Sequence, residues 1–192
     1  MNAETLARIW QELRSACAQR DHDWRSATLA TVGLDGGPQA RTVILREADE
    51  ATGRLAFFTD RRSPKVAELG REPRACLVFW CRRLRWQLRV RVQVSLEFDG
   101  DAVEATWLRL RDSAAAGDYL APAAPGTRLA ISDGTDRADR ADQGDRADHP
   151  RLAEHQLCIA RAAIEAIDWL ELAAAGHRRA IFAAGRIEAV VP

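Results

Sequence analysis

The chain has 192 residues, 47% of them apolar, and its 28 basic side chains balance 28 acidic ones to a formal net charge of zero. That length suits one ordinary domain with a proper core. Balanced charge argues against a duplex nucleic-acid binder or a membrane-surface protein, which carry a basic excess. No apolar run approaches the roughly 20 residues of a membrane helix, and the opening MNAETLARIW does not read as a signal peptide, so the cytoplasm is the expected compartment.

Residues 3–20, AETLARIWQELRSACAQR, place Leu6, Ile9, Trp10, Leu13 and Cys17 at helical spacing and predict an amphipathic helix. SATLATVGLDGGPQARTVILRE predicts a hairpin. Its strands run from Ser26 to Gly33 and from Gln39 to Glu47, and LDGG supplies turn residues that tolerate positive φ. GRLAFFTD, Gly53 to Asp60, is a third strand. In SPKVAELGREP, Ser63 is an N-cap, Pro64 suits the first helical position, and Gly70 with Pro73 ends a short helix. RACLVFWC and the alternating Arg85 to Phe98 are strands four and five. DAVEATWLRLRDSAAAGDYL predicts two helical segments broken near Asp112.

ISDGTDRADRADQGDRADHP then repeats a D-R-A-D unit with little apolar content. It reads as a flexible insert at about 132–150, because it cannot bury enough apolar area to offset the entropy of ordering. QLCIARAAIEAIDWLEL and HRRAIFAAGRIEAVVP each read as a strand pair or a long bent strand, with AAAGH as the turn. Short antiparallel strands with two helical interruptions predict one domain, 1–192, built as a β-barrel with flanking helices. Cys17, Cys76, Cys81 and Cys158 contain no C-x-x-C pair and read as free, mostly buried thiols. His22, His149, His155 and His177 lack metal-ligand spacing, so no metal is expected.

One residue stands out by composition. Lys65 is the only lysine in the chain; every other basic side chain is arginine. It falls in the first turn of the short helix, just after Arg61 and Arg62 and close behind Thr59. Free backbone N–H groups and the positive end of the helix dipole make such a turn an anion site. A lysine there supplies a compact charge on a flexible stem. Two readings are open: a chance lysine left on a surface helix, or a phosphate held by Lys65, Thr59 and backbone amides.

The run ARTVILRE, then LAFFTDRRSPKVAELGREPRACLVFW, then RWQLRV resembles the pyridoxamine 5'-phosphate oxidase family, whose members are FMN-binding split barrels. The match holds near-constant spacing from Ala40 to Val92, and the closing RIEAVVP is similar to the family's last strand. The resemblance implies a mainly β, antiparallel, Greek-key split barrel with flanking helices, and FMN as cofactor. It implies that Arg41 meets the FMN phosphate while Thr42, Val43 and Ile44 line the flavin. Phe58 and Thr59 match the aromatic–threonine pair at the flavin, and Lys65 matches the phosphate-binding lysine. Pro64 replaces an arginine common in the family, with Arg61 or Arg62 as substitutes. Gln87 matches the glutamine at the flavin ring. Trp169 and Arg179, ten residues apart, match the family's last cofactor-contacting tryptophan and arginine.

For the substrate, the resemblance implies Arg46, Arg109 and Ser113 as phosphate contacts and His177 as the catalytic residue that orients substrate over the flavin. Two family donors are missing: the tyrosine position is Ala105 and the first arginine before the last strands is Ala175. The family's Q-S pair that touches FMN is not supplied around Pro122 and Ala123. The implied activity is hydride transfer from a small substrate, such as a B6 phosphate, to FMN, with oxygen as acceptor and a homodimer sharing the cofactor sites. The alternative is an FMN-binding protein of the same fold with another substrate, or with no turnover, as a carrier or sensor. Related split barrels that use a deazaflavin leave the flavin type open.

Overall fold

The computed structural model describes residues 3–128 and 155–192; the D-R-A-D repeat lies outside the described residues. Helix α1 (Ala3–Ala18) and a single 3-10 turn (Asp23–Arg25) precede strands β1 (Ser26–Val32), β2 (Pro38–Asp49) and β3 (Arg54–Asp60). Helix α2 (Pro64–Arg71) leads to β4 (Arg74–Cys81) and β5 (Trp86–Glu97). Helix α3 (Asp101–Leu110), a second 3-10 turn and the one-turn helix α4 (Gly117–Leu120) follow, and β6 (Leu157–Glu171), β7 (Arg178–Ala183) and β8 (Arg186–Val190) close the chain.

The strand order is β3-β2-β1-β4-β5-β6-β7-β8, with a further pairing of β3 to β6. That pairing closes β3, β2, β1, β4, β5 and β6 into a six-stranded barrel and leaves β7 and β8 as an extension. All pairings are antiparallel. Strand β4 returns to lie beside β1 after the β1–β2–β3 meander, which is the Greek-key order. Closure removes the exposed edges that an open sheet of these strands would present.

Alternation decides which side chains fill the barrel. Leu29, Leu77, Val90, Ile167 and Phe182 are successive cross-strand partners and all point inward. Phe79, Leu88, Trp169 and Ala180 form the next inward row. Helix α1 buries Ile9, Trp10 and Leu13 against the same core. Glu12 fastens it there: the carboxylate accepts from Arg83 at 2.7 and 2.9 Å and from His22 Nε2 at 3.0 Å. Burial alone would raise its pKa, but the hydrogen bonds from Arg83 and His22 outweigh burial and lower it. A second, smaller core forms where α3 and α4 pack on β3 and β6, with Val103, Trp107, Tyr119, Leu157 and Ile159.

The expected strands and helices fall within a residue or two of the observed ones. The long bent strand is β6, 15 residues in one piece. Its bend comes from a register shift opposite Arg91 and Val92, where Glu165 is the extra residue. The final segment is the strand pair β7–β8. The four cysteines are free, Cys81 and Cys158 buried and Cys17 and Cys76 half-buried. Among the described residues no cluster could hold a metal ion, and no helix is long and apolar enough to cross a membrane.

Candidate functional site

Strand β3 delivers Thr59 and Asp60 to a turn that opens directly into α2. Ser63 is the N-cap residue and Pro64 begins the helix, but the Ser63 hydroxyl makes no capping bond. It accepts instead from Lys65 Nζ at 2.6 Å, and Thr59 Oγ1 accepts from the same ammonium at 3.1 Å. Thr59 and Ser63 are both buried. Among the described residues no carboxylate lies within ion-pair distance of Lys65. Burial, and then the nearby charge of Arg41, push its pKa below the ordinary lysine value, while Glu68 and Asp60 pull the other way. A half-buried cation satisfied by two hydroxyls has an unspent preference for an anion.

Arg41 stands beside this corner at the mouth of the barrel. It shares the inward face of β2 with Val43 and Leu45, and donates to Glu68 Oε2 at 2.6 Å and to Thr31 Oγ1. Arg61 and Arg62, expected to replace the arginine lost at Pro64, are both occupied. Arg62 is held by Asp60 and by the carbonyls of Ala121 and Pro122. Arg61 donates to the Phe98 carbonyl and lies 5.2 Å over the Phe98 ring.

The remaining cofactor candidates divide by face. Val43 is buried in the core, so only its backbone could reach a ligand. Thr42 and Ile44 face outward. The outward row continues through Thr28, Val78, Arg89, Asp168 and Ile181, and the row beside it through Trp80, Gln87, Leu170 and Arg179. Asp168 grips Arg179 at 2.9 and 2.8 Å and also accepts from Arg89. The Arg179 bond, then Arg89, hold its carboxyl below the usual aspartate range against the effect of burial. A cavity of about 440 Å³ on this face is lined by Cys76, Arg89, Arg91, Asp168, Arg179 and Ile181.

Trp169 is placed differently from Gln87 and Arg179. It lies on the inward row, fully buried, edge-on to Trp86 at 5.1 Å. Its ring has no exposed surface in this chain to offer a flavin, because it alternates with Asp168 and Leu170 along β6. His177 is exposed in the β6–β7 turn, one residue before β7.

On the substrate side, Arg46 is the extra residue where β2 slips register against β3. Bulges re-aim side chains in this way, and Arg46 lies 5.7 Å over the Phe58 ring. Its second neighbour is Tyr119, which sequence reasoning missed. This is the only tyrosine in the chain, buried on α4 near the Arg46 charge; burial raises its pKa. Arg109 and Ser113 are exposed, and their side chains bond locally, Arg109 to Thr106 and Ser113 to the Leu110 carbonyl. The structure therefore joins Arg41, Thr59 and Lys65 in one corner and Arg46 with Phe58 in a second. Gln87 and Arg179 lie on the outer sheet.

Comparison with known proteins adds a family. Residues 7–97 match the family described as pyridoxamine 5'-phosphate oxidase, FMN-binding domain. The chain is 52% identical over 63 residues to the pyridoxine/pyridoxamine 5'-phosphate oxidase of Thermosynechococcus vestitus, a stretch covering 33% of this chain and 29% of that protein. It is 39% identical over 111 residues to the enzyme of the same name from Azorhizobium caulinodans, covering 56% and 51%. The chain thus spans about half, or less, of the curated relatives it matches. In fold it is similar to a pyridoxamine 5'-phosphate oxidase-related, FMN-binding protein from Nostoc punctiforme, with a TM-score of 0.73, 26% identity, and coverage of 98% and 96%. PhzG from Burkholderia lata, at 15% identity and TM-score 0.70, covering 100% and 93%, shares the fold.

Proposed function

We propose that this chain, which is related by sequence and fold to the pyridoxamine 5'-phosphate oxidases, binds FMN and is an FMN-dependent oxidoreductase acting on a small anionic substrate. One observation carries the reading: Lys65, the only lysine, is half-buried at the start of α2, bonded to two hydroxyls and, among the described residues, to no carboxylate. A phosphate monoester fits that corner, since it supplies the missing negative charge and acceptors for ammonium, hydroxyls and helix N–H groups.

Bound FMN would supply the redox chemistry, taking a hydride from the substrate and passing electrons to oxygen. The chain's own residues bind and orient. Lys65, Thr59, Ser63 and Arg41 hold the phosphate. Thr42, Ile44, Phe58 and Gln87 are the candidates for bordering the ring. Arg46, flanked by Phe58 and Tyr119, presents a cation to an anionic group of the substrate, and His177 is the proposed orienting residue.

A homodimer is part of this reading. Strands β2 and β7 are separated by β3 and β6 across the barrel closure, and Ile44 and Arg179 face outward on them. Two copies pairing these outer faces would bring both residues to one shared cofactor site. The exposed Trp80 on that face supports such pairing.

Ala105 and Ala175, where the family has donors, favour a second reading: an FMN protein of the same fold with another substrate, or without turnover. Anaerobic titration of the FMN-loaded protein with pyridoxamine 5'-phosphate separates the two. Bleaching of the blue absorption band, with colour restored by air, supports the B6-phosphate oxidase. A yellow protein that does not bleach supports the second reading.

A further inference from the structure

We infer that Glu68 is a positioning residue: its buried carboxylate, together with Thr31, holds the Arg41 guanidinium ready for the phosphate that Lys65 attracts. The inference rests on reading this corner as the FMN phosphate site. Glu68 follows Lys65 by three positions on α2, so the two side chains leave neighbouring points of one helix face. Glu68 is 6% exposed. Its Oε2 accepts from Thr31 Oγ1 at 2.7 Å and from Arg41 at 2.6 Å, and the other arm of the guanidinium donates to Thr31. One carboxylate oxygen thereby ties α2 to β1 and β2.

Arginine carries five N–H donors in a planar fork. Two are spent here, and the fork is fixed by them, leaving three for a ligand. An arginine already ordered does not lose its rotamer freedom when the ligand arrives. Charge acts in the opposite direction. Lys65 and Arg41 against Glu68 leave the corner one positive charge rather than two, which weakens its pull on a dianion. Orientation and charge therefore predict opposite signs when Glu68 is removed.

The test compares dissociation constants for FMN and for riboflavin, which has the same ring and no phosphate, by quenching of flavin fluorescence. Glu68→Ala is expected to weaken FMN roughly tenfold and to leave riboflavin within about twofold, with Glu68→Gln, which keeps an acceptor oxygen, recovering most of the loss. Thr31→Val, which removes the other arm without changing charge, is expected to weaken FMN several-fold and spare riboflavin. FMN bound as tightly or more tightly by Glu68→Ala overturns the inference, as does equal weakening of both flavins. If Glu68→Ala does not fold, Thr31→Val decides: an unchanged FMN-to-riboflavin ratio overturns it. Lys65→Ala separates this from the parent reading. An unchanged ratio in that variant sinks the phosphate site itself, whereas loss there with no loss in the other two variants sinks only the role of Glu68.

Discussion

The corner at the start of α2 and the sheet end at β6–β7 each contain a cation matched to the family's cofactor contacts, yet they are built differently. In the first, Thr59, Ser63, Lys65 and Glu68 lie within ten residues on one strand, turn and helix, and only Arg41 and Thr31 come from distant strands. In the second, Arg179 is set by β7 pairing to β6, Asp168 comes from β6 and Arg89 from β5. The first is electrostatically incomplete: among the described residues Lys65 has two hydroxyls but no carboxylate at ion-pair distance. The second is saturated, because Asp168 already holds Arg179 and Arg89. An incomplete cation is a candidate for ligand capture, whereas a saturated one first of all supports the fold and orients a side chain.

The sharpest break of this comparison is at Trp169. If the second region is structural in its interior, Trp169→Ala should destabilise the protein by about 3–5 kcal/mol through the cavity it leaves, read as a shift in the denaturant midpoint. Trp169→Phe should be far milder and leave FMN affinity unchanged. A Trp169→Phe protein with weakened FMN binding would move this residue back into the cofactor site.

Asp168→Asn should lower the thermal midpoint by about 2–4 °C at neutral pH. The sign with pH follows from its lowered pKa: the stabilisation is present above the ordinary aspartate range and is lost as pH falls through the folded-state value. The variant should lose part of that acid sensitivity; an identical acid profile would show that the Arg89–Asp168–Arg179 cluster contributes little.

Lys65 shows the same sign in an alkaline window. Its lowered pKa means that the unfolded chain retains this proton to higher pH, so the ligand-free protein gains stability as pH rises through the folded-state value. FMN needs the charged form. Its affinity should fall at alkaline pH, from a midpoint below the ordinary lysine value of about 10.4. Affinity that stays flat to that value would contradict the placement of Lys65 at the phosphate.

The smallest expected effect is at Tyr119. Tyr119→Phe removes the hydroxyl beside Arg46 and should raise the KM for an anionic substrate by roughly three- to tenfold, with FMN affinity unchanged. A lower kcat at constant KM would mean that the phenol acts elsewhere.

Legibility in the sequence followed the same division. Strands β1 to β5 and helix α2 were readable because alternation, turn residues and the Ser-Pro helix start are local signals. Lys65 stood out by composition alone. The inward placement of Trp169 was not readable, since a ten-residue spacing to Arg179 does not say which face of β6 each occupies, and the bulge at Glu165 shifts the alternation. Tyr119 sits on a four-residue helix with no periodicity to mark it; its rarity was the only available signal. Glu68 was hidden in an ordinary amphipathic helix. Only the packing of α2 against β1 and β2 shows that its carboxylate is buried against Thr31 and Arg41. The barrel closure by β3 and β6 pairs segments about a hundred residues apart, beyond any local pattern.

The most direct test of the central claim is an equilibrium titration of FMN into the parent protein and Lys65→Ala, followed by quenching of flavin fluorescence. Loss of one charged hydrogen-bonding group predicts affinity weaker by about 10- to 100-fold in the variant. Equal affinity in the two proteins would contradict the assignment of the phosphate to this corner.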